Sequence, residues 1–164
     1  MGSRSKTKKN KLNYAYIAGF LDGDGSLMLQ IKKRSDSKKG WRFMSTICFY
    51  QDSRHDKPLS WIKKILGIGY LSKRNDGMTE LRINGYRQIH DILKILLPFI
   101  QFKRVQAEAL LKASALLAKK SLVGFSLEER QKLLNWILII QSNNYASRTK
   151  TTKEILEKVL DLTP

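Results

Sequence analysis

Cysteine is almost absent from this sequence, because Cys48 is the single cysteine in 164 residues. One thiol cannot form an intramolecular disulfide, which excludes the disulfide-rich secreted scaffolds and fits a reducing compartment. Long hydrophobic runs are absent as well, and the basic N-terminus is not followed by the apolar core of a signal peptide. The sequence therefore predicts a soluble, intracellular protein that has no membrane partner.

Acidic residues are scarce, with 14 Asp and Glu against 31 Lys and Arg, which gives a net charge of +17. This balance indicates a polyanionic partner, with nucleic acid as the first candidate and an acidic membrane surface as the second. The length suits one domain with a full-sized core. Residues 1–12 carry basic but no acidic side chains, so we expect a disordered basic arm there and a single domain over residues 13–164.

Two carboxylates separated by glycine follow a short apolar stretch at residues 16–25. The stretch predicts a helix whose Ala18 and Gly19 form a bare face that another helix can approach closely. Gly23 favours the end of that helix, which leaves Asp24 at the negative end of the helix dipole. A carboxylate in that position is unfavourable without a nearby cation, so the pattern indicates a metal ion. The plain alternative is a helix stop followed by a strand.

The rest of the chain alternates between the two periodicities of secondary structure. Period-two patterns predict strands over residues 26–34, 42–49, 70–74 and 79–83, the first two being long and antiparallel. Helical spacing predicts helices over 58–66, 86–96, 105–119, 126–140 and 151–162, and Ser126 with Glu129 forms a capping box. The predicted fold class is therefore α+β, with a four-stranded antiparallel sheet and additional C-terminal helices.

One face of the predicted sheet is polar and basic. Arginine and glutamine make bidentate contacts to guanine and adenine, Met and Cys side chains suit thymine methyl groups, and a twisted antiparallel ribbon fits the major groove. A merely solvated face is the plain alternative, and Glu80 either accepts from cytosine or pairs with a neighbouring arginine. The predicted DNA-contacting residues are Met28, Gln30, Lys32, Arg34, Arg42, Met44, Thr46, Cys48, Ser72, Arg74, Glu80 and Arg82.

Residues 17–25, Ile-Ala-Gly-Phe-Leu-Asp-Gly-Asp-Gly, resemble the signature of the LAGLIDADG homing endonucleases with conservative changes. The resemblance implies an αββαββα core with a saddle-shaped sheet, and double-strand cleavage of a long, nearly palindromic DNA target. Members of the family with one motif act as homodimers, and this sequence has one motif and no internal repeat. A homodimer is therefore expected, with Ala18, Gly19 and Asp22 at the interface.

The resemblance also implies the residues of the chemistry. Asp24 is expected to bind Mg²⁺ with help from the Gly23 carbonyl, and no small-molecule cofactor beyond the metal is implied. Gln51 and Lys103 correspond to a basic pocket around the metal. His55 stands where relatives carry arginine, so Arg54 or Lys57 is an alternative at that position.

A basic loop with Arg148 and Lys150 resembles the loop that contacts the DNA backbone in single-motif members. Two rival functions are an RNA maturase or a non-catalytic DNA-binding protein on the same fold. A basic RNA-binding or ribosomal protein is a more distant rival, because net charge alone supports it.

Overall fold

The computed structural model describes residues 2–33, 40–144 and 150–162 of the chain, with side chains described from Asn10 onward. Its regular elements are, in chain order, α1 (Gly2–Asp24), β1 (Gly25–Lys33), β2 (Trp41–Asp52), α2 (Lys57–Leu66), β3 (Tyr70–Lys73), β4 (Met78–Asn84), α3 (Tyr86–Leu96), α4 (Arg104–Lys119), α5 (Leu127–Asn143) and α6 (Lys153–Val159). Short 3₁₀ turns lie at Ser53–His55, Leu97–Phe99 and Leu122–Gly124. This order confirms the predicted α+β class and the αββαββα core followed by further helices.

The four strands form one antiparallel sheet in the order β1-β2-β4-β3. In β1 and β2, Gly25 pairs with Phe49 and Lys33 pairs with Trp41. Strand β4 continues the sheet from β2, with Ile47 opposite Ile83. Since side chains alternate between the faces of a sheet, this register places the apolar positions of adjacent strands on one face and the polar positions on the other.

The helices cover the apolar face of the sheet and close a single core. Ile17 and Leu21 of α1 are buried against sheet residues such as Leu27, Ile47 and Leu81. Apolar side chains of α2–α6 complete the same cluster. The core therefore holds α1 rigidly against the sheet, which fixes the point where that helix ends.

The junction between α1 and β1 is unusually tight. A Cβ atom at Gly25 would lie 2.5 Å from Leu21 Cδ1 and 2.8 Å from the Leu21 carbonyl oxygen. Such separations are shorter than van der Waals contact, so only glycine allows β1 to fold back on the last turn of α1. This close approach places Asp24, the last residue of α1, at the edge of the sheet.

The N-terminal segment differs from the expected disordered arm, because α1 begins at Gly2 and is continuous to Asp24. Lysine, arginine, asparagine and leucine are compatible with helix, and no proline interrupts residues 2–24. The basic segment therefore extends the motif helix instead of leading into it as coil. The predicted DNA contacts Arg34 and Arg148 lie outside the described residues.

Candidate metal and nucleic-acid site

Asp24 and Gly23 are both exposed at the C-terminal end of α1. No basic residue lies in the last turn of α1, so the helix itself provides no charge to balance its dipole. The end of α1 therefore presents a carboxylate and backbone carbonyl groups that have no partner within the helix. These are hard oxygen ligands of the kind that Mg²⁺ and Ca²⁺ bind.

Lys103 approaches this helix end from the loop that precedes α4. Its Nζ donates hydrogen bonds to the carbonyl oxygens of Leu21 at 2.9 Å and Asp22 at 2.7 Å, and more weakly to that of Gly23 at 3.4 Å. Burial lowers the pKa of Lys103, whereas the carboxylates of Asp22 and Asp24 oppose that shift. The predicted pocket lysine thus lies beside the predicted metal ligand, in the electrostatic field of Asp24.

The Asp22 side chain points to the same loop. Its Oδ2 accepts hydrogen bonds from the backbone N–H groups of Gln101 at 2.7 Å and Phe102 at 3.2 Å, and its Oδ1 accepts from that of Lys103 at 2.9 Å. Asp22 therefore binds a loop of its own chain, and its place at a dimer interface stays a prediction. It is a neighbour of Asp24 in sequence, but the two carboxylates have different surroundings.

A single cleft of about 1030 Å³ connects the end of α1 with the polar face of the sheet. It is bordered by β1 on one side and by the C-terminal end of α5 and the start of α6 on the other. Predicted site residues that line it are Gly23, Asp24, Met28, Gln30, Lys32, Arg74, Lys103 and Lys150. The structure thus brings predicted metal-binding, base-reading and backbone-contacting residues into one continuous surface.

The polar face of the sheet that carries the predicted DNA-contacting residues is called the reading face here. Some of those residues are accessible to solvent and others are not. Lys32, Arg42 and Arg74 are exposed, and Met28, Gln30, Met44, Ser72 and Arg82 are partly exposed. The Oε1 atom of Gln30 is buried and has no hydrogen-bond partner within the described residues. An acceptor without a partner in a polar cleft is suited to a donor supplied by a ligand.

Thr46, Cys48 and Glu80 are corrections to the predicted set, because all three are buried within the chain. The Thr46 hydroxyl donates to Asn84 Oδ1 at 2.7 Å. The side chain of Glu80 is only 11% exposed and forms a forked pair with Arg82, with N–O distances of 3.0 and 3.3 Å. These residues alternate toward the polar face as predicted, but they are buried within the chain, and Thr46 and Glu80 are bonded to side chains of β4.

Cys48 and Tyr50 lie next to each other on this face of β2. Burial raises the pKa of the Cys48 thiol, and burial likewise raises the pKa of Tyr50 to about 12. The hydroxyl groups of Tyr50 and Ser26 are hydrogen-bonded at 3.0 Å, and the Arg74 guanidinium lies 5.8 Å from the centre of the Tyr50 ring. Tyr50 is thus a cleft residue missing from the predicted set, although extending the alternation by two residues from Cys48 would have included it.

Gln51 and His55 do not line the cleft. Gln51 lies two residues beyond Phe49, the partner of Gly25, and its Oε1 accepts the backbone N–H of Asp52 at 2.9 Å. His55 is exposed on the following 3₁₀ turn. The catalytic roles of Gln51 and His55 stay predictions.

Arg54, the alternative for the His55 position, is held by Asp52. Two hydrogen bonds of 2.9 and 2.7 Å join the guanidinium to the carboxylate. These bonds and the backbone N–H of Arg54 hold the pKa of Asp52 well below its usual range. Arg54 is therefore engaged outside the cleft.

Another position that sequence reasoning missed is Asn144, at the C-terminal end of α5. Its Nδ2 donates to the Leu27 carbonyl oxygen at 3.0 Å, which attaches the end of α5 to the outer edge of β1. Nearby, Gln106 Nε2 donates to the Asn143 carbonyl oxygen at 2.8 Å. These bonds fix the C-terminal end of α5 against β1 and α4, and no local pattern marks them because the partners are distant in sequence.

The exposed face of α1 is the last component of the site. Leu12 and Tyr16 are 65% and 54% exposed, and Gly19 and Gly23 follow on the same face, since all four recur at spacings of three and four residues. A Cβ atom at either glycine would meet no atom within 4 Å. Ala18 is fully buried in the core, so it is corrected as an interface residue, whereas Gly19 lies on the open face.

Two absences hold for the described part of the chain. No group of three or more His, Cys, Asp or Glu side chains there is arranged to hold a metal ion. Among the same residues, no helix is both long enough and apolar enough to cross a membrane.

Comparisons with known proteins agree with this geometry. The sequence model of the LAGLIDADG endonuclease family matches residues 17–108. The chain is 31% identical to DNA endonuclease I-CreI of Chlamydomonas reinhardtii over 157 residues. This alignment covers 94% of this chain and 93% of that protein. The chain is also 37% identical to DNA endonuclease I-CvuI of Chlorella vulgaris over 103 residues. That alignment covers 63% of this chain and 64% of that protein.

A solved structure shows the same fold. The crystal structure of I-CvuI in complex with its target in the presence of 2 mM Ca matches with a TM-score of 0.78 at 27% identity, over 94% of this chain and 96% of that chain. The match includes the helix that carries the motif, the sheet and the C-terminal helices. The sequence match, the fold and the position of Asp24 at the end of α1 together place this chain in the LAGLIDADG endonuclease family.

Proposed function

We propose that this endonuclease is a site-specific homing enzyme that acts as a homodimer, using a divalent metal ion, and makes a double-strand break in a long, nearly palindromic DNA target. The observation that carries the proposal is the shared cleft, in which Asp24 opens onto the same surface as Gln30, Lys32 and Arg74. A substrate lying along the reading strand β1 would therefore pass beside the carboxylate. The net charge of +17 supports a polyanionic substrate.

The residues at the end of α1 fit a divalent cation. Asp24 and the Gly23 carbonyl provide oxygen donors, and the helix dipole adds negative potential there. The ammonium group of Lys103 donates to the carbonyl oxygens of Leu21 and Asp22 and more weakly to that of Gly23, which supports the view that this position favours positive charge. When bound, Mg²⁺ would relieve charge on the phosphate, lower the pKa of a water nucleophile and stabilise the leaving oxygen.

Residues of the chain would hold the ion in place and set the position of the DNA relative to it. Asp24 and Gly23 fix its place at the junction of α1 and β1, which the core holds rigidly. Lys103 adds positive potential beside the scissile phosphate. The reading strands determine which phosphodiester lies next to Asp24, because base contacts along β1 and β2 set the register of the DNA.

A homodimer follows from the need to cut two strands. One chain supplies Asp24 at the end of one α1 helix, so a second copy must supply the equivalent carboxylate for the other strand. The open face of α1, with Gly19 and Gly23 lacking side chains, allows two such helices to pack closely about a two-fold axis. That packing would bring the two copies of Asp24 near each other, and it makes a nearly palindromic target the natural substrate.

The rival of a non-catalytic DNA-binding protein gives no reason for an exposed carboxylate at the negative end of α1. Without a metal ion, the Asp24 charge would be offset in part by the Lys103 ammonium, which is held on the α1 carbonyl groups, and it would still repel the phosphate backbone. The rival and the proposal therefore differ in what they predict for removal of this one charge.

The test is Asp24→Asn, which preserves the size of the side chain and removes its charge. On a target selected from a plasmid library, we expect linearisation by the wild type with Mg²⁺ but not with EDTA. We expect Asp24→Asn to bind the same target in gel-shift titrations while single-turnover cleavage falls to background. The control is Asp91→Asn on α3, which removes an exposed carboxylate outside the cleft and should cleave normally. Near wild-type cleavage by Asp24→Asn would refute the proposed site.

A further inference from the structure

The end of α1 and the start of α4 hold each other through two charged side chains. Asp22 of α1 accepts three hydrogen bonds, from the backbone N–H groups of Gln101, Phe102 and Lys103. In return, Lys103 donates from Nζ to carbonyl oxygens in the last turn of α1. We call this set of reciprocal contacts the Asp22–Lys103 clasp.

The clasp pairs backbone N–H groups of the turn that leads into α4 with Asp22, and carbonyl groups at the end of α1 with Lys103. The N-terminus of α4 has no capping side chain of its own, and its partial positive charge is met by the carboxylate of Asp22. The C-terminus of α1 has no basic residue in its last turn, and its partial negative charge is met by the ammonium of Lys103. Each helix thus supplies the charge that the other needs.

The clasp also limits what Lys103 can do. A lysine ammonium has three hydrogen-bond donors, and three α1 carbonyl oxygens lie within 3.4 Å of it. Its charge is therefore held at a fixed place beside Asp24, not on a freely moving side chain. The loop that carries Lys103 is fixed at that place by Asp22.

We propose that Asp22 is a positioning residue of the cleavage reaction, which acts through the backbone of Gln101–Lys103 to place the Lys103 ammonium beside Asp24. This inference rests on the proposed endonuclease function and assigns Asp22 a role at that site. Asp22 touches neither substrate nor metal in this role. Its loss is expected to displace Lys103 and to leave the reading strands and the open face of α1 unchanged.

The diagnostic change is Asp22→Asn. The amide offers one acceptor oxygen in place of two, and its NH₂ group would face backbone N–H donors, so at least one of the three hydrogen bonds is lost. A misplacement of about 1 Å at a catalytic group can cost on the order of 100-fold in rate. We expect single-turnover cleavage to slow by about 10- to 100-fold, whereas target affinity measured in Ca²⁺ changes by less than about threefold.

A readout without cleavage tests the clasp itself. Native-state amide hydrogen exchange at Gln101, Phe102 and Lys103 should become faster in Asp22→Asn, because these N–H groups lose their acceptor. The matched control is Asp91→Asn on α3, which removes an exposed carboxylate outside the cleft and leaves the acceptors of all three backbone N–H groups in place. That control should exchange and cleave like the wild type.

The coupling of the two residues is tested with Lys103→Met and the double variant. If Asp22 acts through Lys103, the double variant should cleave about as slowly as Lys103→Met alone, because the second change has nothing left to displace. If Asp22→Asn prevents folding, Asp22→Glu is used in its place. The longer side chain keeps the charge but cannot keep both oxygens on the same three N–H groups. The same slowing of cleavage is therefore expected.

The outcomes separate this inference from the proposed function. A wild type that cleaves and an Asp22→Asn variant that cleaves equally fast, with only a lower melting temperature, would show a purely structural role and overturn the inference. Unchanged amide exchange in the variant would overturn the clasp, and independent losses in the double variant would overturn its action through Lys103. A wild type that cleaves no DNA with any divalent metal would refute the proposed function and, with it, this role of Asp22. Amide exchange would still decide whether Asp22 holds the Gln101–Lys103 loop.

Discussion

Gly19→Ala is the sharpest test of the proposed helix-to-helix dimer, because the structure predicts opposite effects on the isolated chain and on the pair. A Cβ atom at Gly19 meets no atom of its own chain within 4 Å, and the residue lies inside α1. The substitution should therefore stabilise a lone chain by about 0.5–1 kcal/mol, since alanine favours helix over glycine.

In a dimer packed through this face, the added methyl group enters a contact between two backbones. Overpacking costs about 1–3 kcal/mol at a site, and the two-fold axis places two such sites in each dimer, so the association loses about 2–6 kcal/mol. The helix gain is the same in free and paired chains and does not offset this loss. At about 1.4 kcal/mol per tenfold change, the dissociation constant should rise by about 30-fold to about 20,000-fold.

The assay is sedimentation equilibrium over a concentration series, with thermal melting at the lowest concentration. The control is Gly124→Ala, where a Cβ atom would meet only the Lys120 side chain at the ordinary distance of 3.6 Å. We expect Gly124→Ala to leave association unchanged. A wild type that is monomeric at micromolar concentration and fully active, or an unchanged dissociation constant for Gly19→Ala, would refute the reasoning.

Other predictions concern the reading face and the buried thiol. Lys150→Ala should weaken binding equally on all sequences and lower the slope of log affinity against log salt by roughly 0.9, if the lysine neutralises one phosphate. Gln30→Ala should instead cost about 1–3 kcal/mol at one base pair and relax preference there, because its buried Oε1 lacks a partner in the described part of the chain; a uniform loss over all sequences would contradict this. Cys48 should resist iodoacetamide at pH 8 in the native protein and react after denaturation, because burial raises the pKa of its thiol; rapid native labelling would contradict its burial.

Several features of this protein follow from the sequence alone because they depend on local periodicity or local hydrogen bonds. The period-two pattern predicted the two long strands β1 and β2. The capping box of Ser126 and Glu129 is confirmed, with each side chain bonded to the backbone of the other residue. The motif at residues 17–25 indicated the family, which the comparisons show.

The tertiary structure decided which of the candidate side chains face solvent. Thr46, Cys48 and Glu80 alternate toward the polar face as predicted, but the fold buries all three. Alternation specifies the face of a side chain, whereas burial depends on the size and direction of side chains on adjacent strands. For the same reason, helical spacing alone did not separate buried Ala18 from exposed Gly19.

The partner of Asp22 likewise depends on the fold. The sequence placed Asp22 two residues before Asp24 and gave no sign that the Gln101–Lys103 loop would bind it. Contacts between segments about 80 residues apart form only when α1, the sheet and α4 pack together, because no local pattern encodes the distance between them. The sequence alone therefore determined the motif, the elements and the identity of the carboxylates, while packing around α1 assigned one carboxylate to the α4 loop and left the other exposed in the cleft.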